Sequence, residues 1–365
     1  MAAAVEFLVV GQGLAGTALA CELLWRGREV LVVDPGDAVT SSKVAAGLVT
    51  PITGQRLALG WRVDEMLAAA RPFYARIEAD WGRRFFHPRV VRRVFRSVEE
   101  AAVWEKRRQE PARQQHLARA WIPEAGPFGG CAFHGAHLDT LGYLGAARDW
   151  LRRLGCLLEA RLDPLEAAGW PARRIVFCQG FAAAENPFFH WIRWRAAKGE
   201  ILTVRTTGLD RGTILRAGQW IVPMEAGAGG LAAEGGGSGH GGTRGHDGVN
   251  NAADEPMLAR TGSTYDWEHL DTVPTAEARA VLEAGLAVRY PRPFEVVDHQ
   301  AAVRPIICES RAVIGVHPAR EKLAFFNGLG SKGSLHAPFF ARQLADHLVD
   351  GHPLEEGCDL RRNGG

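Results

Sequence analysis

Apolar positions follow two rhythms that divide the chain. Phe7 to Val10 is an unbroken apolar run, as expected of a strand buried on both faces, and Val30 to Val33 repeats it. Between them Leu19, Leu23 and Leu24 recur at helical spacing, which predicts a helix from about Leu14 to Trp25 that stops at Gly27. Strand, helix and strand together make one βαβ unit. Amphipathic spacing predicts another helix between about Val63 and Trp81, and a third over Thr140 to Leu154, opened by Asp139 as N-cap and closed by Gly155. Arg174 to Cys178 reads as a return to the parallel sheet. Lys198 to Arg205, Gln219 to Val222 and Arg260 to Tyr265 alternate polar and apolar residues, which suits an antiparallel sheet in a second domain. A helix around Thr275 to Ala287, strands between Val296 and Val316, and a last helix from about Leu335 to Leu348 complete the pattern.

Composition changes this picture at one place. Glu225 to Pro256 holds 11 of the 43 glycines and almost no large apolar residue, too little to bury and order itself. A flexible glycine-rich insertion is therefore expected over 225–258, in a hairpin of the second domain. Deleting it should leave folding and activity nearly intact; loss of both on thermal melting and turnover would show that the segment carries structure. A length of 365 residues allows one large or two moderate domains, either with a substantial core.

Charge excludes more than it suggests. With 43 Lys and Arg against 41 Asp and Glu the net charge is +2, so no global field argues for nucleic acid or a membrane surface. Locally, Arg83 to Arg119 carries 11 Lys or Arg against 4 Glu, a surplus of 7, and is expected to be a solvated helical face; nucleic acid is the alternative partner there. Cys21, Cys131, Cys156, Cys178, Cys308 and Cys358 lie far apart, without CxxC or zinc-ligand spacing, and read as reduced thiols in a reducing compartment. The first residues lack a basic region ahead of the apolar run, which Glu6 interrupts, so they read as a strand and not as a secretion signal. No apolar run of about 18 residues predicts a membrane span. The expected location is cytoplasmic.

Candidate chemistry begins at Gly11-x-Gly13-x-x-Gly16. The first glycine permits the tight turn, the second admits a pyrophosphate to the backbone, and the third lets helix pack on strand. The anion would rest on the helix N-terminus, among unpaired NH groups. Asp34 stands 23 positions after Gly11, where a carboxylate accepts hydrogen bonds from a ribose and repels a 2'-phosphate, disfavouring NADP. A compact NAD domain could be built from one continuous segment. Here strand-and-glycine elements recur at Cys178-Gln179-Gly180 and over Gly328 to Gly333, a distribution that an extended FAD touching three separated segments explains better.

Four motifs in order, Val10-Gly11-Gln12-Gly13-Leu14-Ala15-Gly16, Ser41-Ser42-Lys43-Val44-Ala45-Ala46-Gly47-Leu48, Val303-Arg304-Pro305 and Asn327-Gly328-Leu329-Gly330-Ser331-Lys332-Gly333, resemble the FAD-dependent D-amino acid oxidase superfamily. Within it the likeness is to glycine oxidase and to the oxidase domain of the bacterial enzyme that trims carboxymethylaminomethyl-uridine in tRNA. The resemblance implies an α/β fold: a Rossmann-like FAD-binding domain assembled from 1–85, 140–195 and 300–350, and a substrate domain on an antiparallel sheet from 86–139 and 196–299. It implies non-covalent FAD held by Gly11, Gly13, Leu14, Ala15, Gly16, Asp34, Ser41, Ser42, Ala46, Gly47, Leu48, Gly180, Gly328, Leu329, Gly330, Ser331, Lys332 and Gly333. Arg304 matches the family arginine that pairs with the substrate carboxylate, a bidentate geometry that lysine does not reproduce. An ion pair with Glu309 is the structural alternative. The aspartate common a few positions later in glycine oxidases is replaced around Ile307-Cys308-Glu309-Ser310, which leaves the substrate open.

The implied activity is oxidation of the C–N bond of a small amine or amino acid by hydride transfer to flavin N5, with oxygen or another acceptor taking the electrons. That scheme needs no catalytic side-chain acid or base, because the cofactor carries the chemistry. Alternatives on the same fold are an amine dehydrogenase or a tRNA-modifying oxidase; from other classes, a non-catalytic flavin-binding protein or an NAD-dependent reductase. Tyr265 is a second candidate at the substrate, with aromatic packing as its other reading. His134-Gly135-Ala136-His137 lacks an accompanying carboxylate and reads as surface or packing histidines, so no metal is expected. Cys308 is out of register with Arg304 for flavin attachment.

Overall fold

The computed structural model describes residues 4–54, 56–117, 121–122, 126–225, 255–308 and 311–362. The chain opens with β1 (Val5–Val10), α1 (Leu14–Trp25), β2 (Val30–Val33), α2 (Ser41–Val44), β3 (Leu48–Val49), β4 (Ile52–Thr53), β5 (Ala58–Leu59) and α3 (Val63–Trp81). It continues through β6 (Phe86–Val94), α4 (Val98–Arg107), α5 (Pro111–Leu117), β7 (Trp121–Ile122), β8 (Gly130–Leu138), α6 (Thr140–Arg153), β9 (Leu157–Leu158), α7 (Pro164–Gly169) and β10 (Ala172–Phe177). After a 3-10 turn (Gly180–Glu185) come β11 (Ala197–Thr206), β12 (Thr213–Ala217), β13 (Gln219–Pro223), β14 (Met257–Gly262), α8 (Ala276–Arg289), β15 (Phe294–Arg304), β16 (Val313–His317), β17 (Arg320–Asn327) and α9 (Gly333–Asp350).

Six strands form one sheet in the order β16-β17-β10-β1-β2-β9, parallel except for the β16/β17 hairpin. Phe7 to Val10 and Val176 to Phe177 are buried, so the continuous apolar runs mark its centre. On one face α1 packs against α9 and is buried nearly all round, which is why its apolar residues do not keep to one stripe. The second sheet runs β15-β11-β14-β13-β12-β6-β8-β3, with β7 beside β8.

Three differences from the sequence pattern stand out. The second sheet is antiparallel except where β12 pairs with β6, Thr213 opposite Val90. More than a hundred residues, including β10, lie between those two strands, and a long crossover is what a parallel pair requires. Next, β3 sits at the edge of this second sheet, pairing Leu48 with His137, although it lies early in the chain. Finally, β14 begins at Met257, which is buried, so the expected insertion ends sooner than 258. Its residues 226–254 lie outside the described residues, whereas Glu225 pairs with Arg89.

The basic segment is not a single helical face. Its first third is strand β6, whose Arg93 points inward, donates to the Gly54 carbonyl at 2.7 Å and faces Glu100 at 3.6 Å. Arg96 holds Glu100 at 2.6 Å, Arg108 holds Glu105 at 2.7 Å, and Arg107 and Arg113 share Glu110. Three of the four glutamates of the segment are thus paired within it, so the surplus of 7 remains, answered in part from outside by Asp139 at Arg83 and Glu225 at Arg89. Among the described residues no helix is long and apolar enough to cross a membrane.

One hydrogen bond ties α3 to the end of the chain. Pro338 lies inside α9, and a proline there has no NH for the carbonyl four residues earlier, that of Ser334. The buried Tyr74 hydroxyl donates to that carbonyl at 2.7 Å. Tyr74→Phe strands the carbonyl and is expected to lower stability by about 1–3 kcal/mol in a denaturant titration; an unchanged midpoint would show the carbonyl to be satisfied otherwise.

Candidate active site

A cavity of about 970 Å³ opens at the carboxyl ends of the parallel strands, where Val10, Asp34, Cys178 and Asn327 line it, and extends to the second sheet at Gly199, Arg216, Trp220 and Arg304. Ligands of open α/β sheets bind in that crevice. Two helices begin on it. α1 starts from Gly13 and α9 from Lys332, and neither start is capped by its own N-cap side chain. The first NH groups of a helix have no partner inside it, so both ends present donors and a positive dipole toward the cavity.

Close packing makes the first turn possible. Gly11 has φ +105°, which favours glycine, and a Cβ on it would press on the Cys178 carbonyl. A Cβ on Gly16 would overlap the Gly11 carbonyl, so Gly16 fixes how closely α1 rests on the turn. Gly13 sits beneath Ser42, whose Oγ would lie 2.9 Å from an added Cβ and which accepts a hydrogen bond from the Leu14 NH at 3.1 Å. Leu14, Ala15, Ser41, Ala46, Gly47, Leu48 and Gly180 line the cavity with Gly11 and Gly13. So do Leu329, Gly330, Ser331, Lys332 and Gly333 at its other end. Gly16 and Gly328 stand behind the wall; a Cβ on Gly328 would meet Ile307 and the Arg311 carbonyl.

Asp34 is held firmly. One carboxylate oxygen accepts from the Gln12 NH at 2.8 Å, and the other from the Gly36 NH at 2.8 Å and from Arg148 at 2.9 Å. Arg148 offsets the charge that was expected to repel a 2'-phosphate, so that discrimination is weaker than the sequence alone implies. Arg260, from β14, reaches the end of α2 and donates to the carbonyls of Lys43 at 3.2 Å and Ala45 at 2.9 Å. A buried cation at a helix C-terminus satisfies carbonyls left open there and ties residues 41–48 to the second sheet.

At the second sheet Arg304 lies flat on the backbone of β11. A Cβ on Gly199 would fall within its guanidinium, while the Tyr265 ring lies on it with its centroid 4.2 Å from Cζ. Arg304 donates to the Lys198 carbonyl at 3.2 Å, to Ser263 Oγ at 2.7 Å and to the Thr264 carbonyl at 3.2 Å. Among the described residues no carboxylate pairs with it; Glu309 lies outside them. Burial lowers its pKa from the usual arginine range and Tyr265 opposes that shift. Tyr265 is itself 53% exposed and stacks on Trp267. The guanidinium therefore has both faces covered, and its Nε–H has no protein acceptor among the described residues.

Several groups stay apart from this arrangement. His134 and His137 are three apart on β8 and face opposite ways, His134 exposed and His137 buried. Burial pushes His137 down to about 3, with Arg89, His87 and Arg260 adding to the shift. Among the described residues no cluster of His, Cys, Asp or Glu could hold a metal ion. Cys308 is exposed and all six cysteines are free. Gly199, Arg148, Arg216 and Arg260 escaped the sequence reading, because each acts on a partner far away in the chain and no local motif surrounds it.

A family model described as DAO, FAD dependent oxidoreductase, matches residues 6–347. Iminodiacetate oxidase from Chelativorans sp. BNC1 shares the fold at 18% identity and a TM-score of 0.70, over 96% of each chain. Glycine oxidase from Bacillus cereus ATCC 14579 does so at 14% identity and 0.71, again over 96% of each chain. L-proline dehydrogenase from P. horikoshii is 15% identical with a TM-score of 0.70, over 97% of this chain and 95% of its own.

Proposed function

The chain belongs to the FAD-dependent oxidoreductase family, and from that premise we propose that it oxidises the C–N bond of a small amine or amino acid bearing a carboxylate. The observation that carries this reading is Arg304, half-buried between Gly199 and Tyr265 on the wall of the same cavity as the glycine turns, with no described carboxylate to neutralise it. A partly desolvated cation without a counter-charge is costly, and a substrate carboxylate compensates it.

The residues present fit FAD. The Gly11–Gly16 turn and the start of α1 would hold its pyrophosphate, Asp34 its ribose, and residues 41–48 its ring system. The start of α9 would stabilise negative charge on the bound flavin. When bound, FAD supplies the two-electron acceptor for a hydride leaving the substrate's α-carbon. Arg304 fixes the carboxylate so that the α-carbon is presented in one orientation, and the small residues Ala46 and Gly47 leave room for the approach. Hydrolysis of the resulting imine needs only water. Iminodiacetate, glycine and L-proline are named for the proteins that share the fold, and all three carry a carboxylate beside the nitrogen.

Purified protein is expected to show a flavin spectrum that bleaches anaerobically with one or more of glycine, sarcosine, D-alanine, D-proline or iminodiacetate. Peroxide release in air identifies an oxidase, its absence a dehydrogenase. A colourless protein that binds NADH would overturn the flavin reading, and a flavin that no amine or amino acid bleaches would overturn the reaction.

A further inference from the structure

The cavity wall at the second sheet carries a second arginine. Arg216, on β12, lines it with Arg304, on β15. The sheet order β15-β11-β14-β13-β12 places β14 midway between those strands, and Tyr265 follows β14. Arg304 reaches inward across Gly199 of β11 to Ser263 and Thr264, and Tyr265 lies on it. Arg216 lines the same cavity as Tyr265, from the strand at the far side of β13. The two arginines thus face one cavity from strands on either side of β14.

Neither has a protein anion to answer it. Among the described residues the Arg216 side chain makes no hydrogen bond or ion pair, while its strand neighbour Arg93 takes Glu100. Burial pulls Arg216 down to about 10, Arg93 adds to the shift, and Tyr265 opposes it. The lining strands β11 to β15 contribute Gly199, Ile201, Trp220 and Ala302 beside the arginines, and no carboxylate. Asp34 and Asp37 border the opposite end, engaged by Arg148 and Arg161, and Glu185 closes the 3-10 turn there. Two like charges desolvated together oppose folding unless a ligand brings matching anions.

We propose that Arg216 is a second carboxylate anchor, so that the preferred substrate is an amine or amino acid bearing two carboxylates, one on Arg304 and the other on Arg216. This deepens the reading of the site as an amine-oxidising one and rests on it. Selectivity follows from the unpaired cation: a monocarboxylate leaves Arg216 unanswered, and a site built around a polar partner rejects the ligand that lacks it.

The test separates binding from turnover. Flavin-loaded protein is titrated with thiodiacetate and with (methylthio)acetate, which carry two and one carboxylates and no oxidisable amine, and binding is read from the flavin absorbance. Thiodiacetate is expected to bind at least about tenfold more tightly, the effect of one charge-assisted contact. Arg216→Leu should abolish that preference without weakening (methylthio)acetate, and Arg216→Lys should restore part of it. No preference in the unmutated protein, or an unchanged preference in Arg216→Leu, overturns the proposal. Should Arg216→Leu fail to fold, Arg216→Gln is read in its place. Loss of flavin from these variants with the ligand preference retained would assign Arg216 to the cofactor and likewise overturn it. Failure of amines to bleach the flavin, with the dicarboxylate preference intact, removes the reaction and leaves the anchor standing.

Discussion

Gly16→Ala is expected to purify with little or no flavin and with a lowered melting temperature. The new Cβ overlaps the Gly11 carbonyl and comes within 3.3 Å of Cys178 Cβ. Neither neighbour can withdraw easily. The Gly11 NH donates to the Val33 carbonyl at 2.8 Å and the Cys178 NH to the Val10 carbonyl at 2.8 Å, so the turn is fastened to the strands on both sides. The strain must then move α1, which is packed against α9. Forcing one methyl into a filled interior costs about 1–3 kcal/mol, and tilting α1 turns its NH groups away from the cavity. Gly145→Ala is the matching control, because that glycine lies within α6 and an added Cβ meets nothing within 4 Å. It should gain up to about 1 kcal/mol of helix propensity. The ratio of absorbance at flavin and protein bands, with melting in the presence and absence of added FAD, reads both effects. A Gly16→Ala protein with full flavin content would show that the third glycine does not set the helix position.

The contrast between what the chain displays locally and what it conceals follows from distance along the sequence. β1, α1 and β2 are legible because the turn glycines, the apolar runs and the stop at Gly27 all act within some thirty residues. α6 is legible because Asp139 caps it, accepting from the Gly142 NH at 3.0 Å. β6 is not, because the inward positions that should be apolar include Arg93, whose charge is answered by Glu100 and the Gly54 carbonyl and so can be buried. An arginine in an inward place erases the alternation that marks a strand. The same holds at the site. The glycine turns announce an anion cradle by their spacing, whereas Arg148 meets Asp34 across 114 positions and Arg260 meets Ala45 across 215. Such pairs exist only once the two sheets are assembled.

Gly199 belongs to that concealed class, and its substitution carries the other large expected effect. Arg304→Ala removes a charge-assisted contact to the substrate carboxylate, about 1.5–3 kcal/mol of binding, or roughly ten- to a hundredfold and more in KM. Gly199→Ala should do nearly the same without touching the arginine. Its methyl occupies the place of the guanidinium, so Arg304 must leave the β11 surface and abandon the Lys198 carbonyl and Ser263. The strand itself tolerates the change: Gly199 pairs with Ala302 in regular register, its φ is not in the left-handed region, and alanine is the better strand residue. Flavin content and melting temperature are therefore expected to stay near those of the unmutated protein while KM for a carboxylated amine rises. Because both substitutions break one contact, their effects should not add: the Gly199→Ala/Arg304→Ala protein is expected to bind substrate no worse than Arg304→Ala alone. A full additive loss in the double variant would mean that Gly199 acts on the substrate directly, and an unchanged KM in Arg304→Ala would remove the arginine from the site.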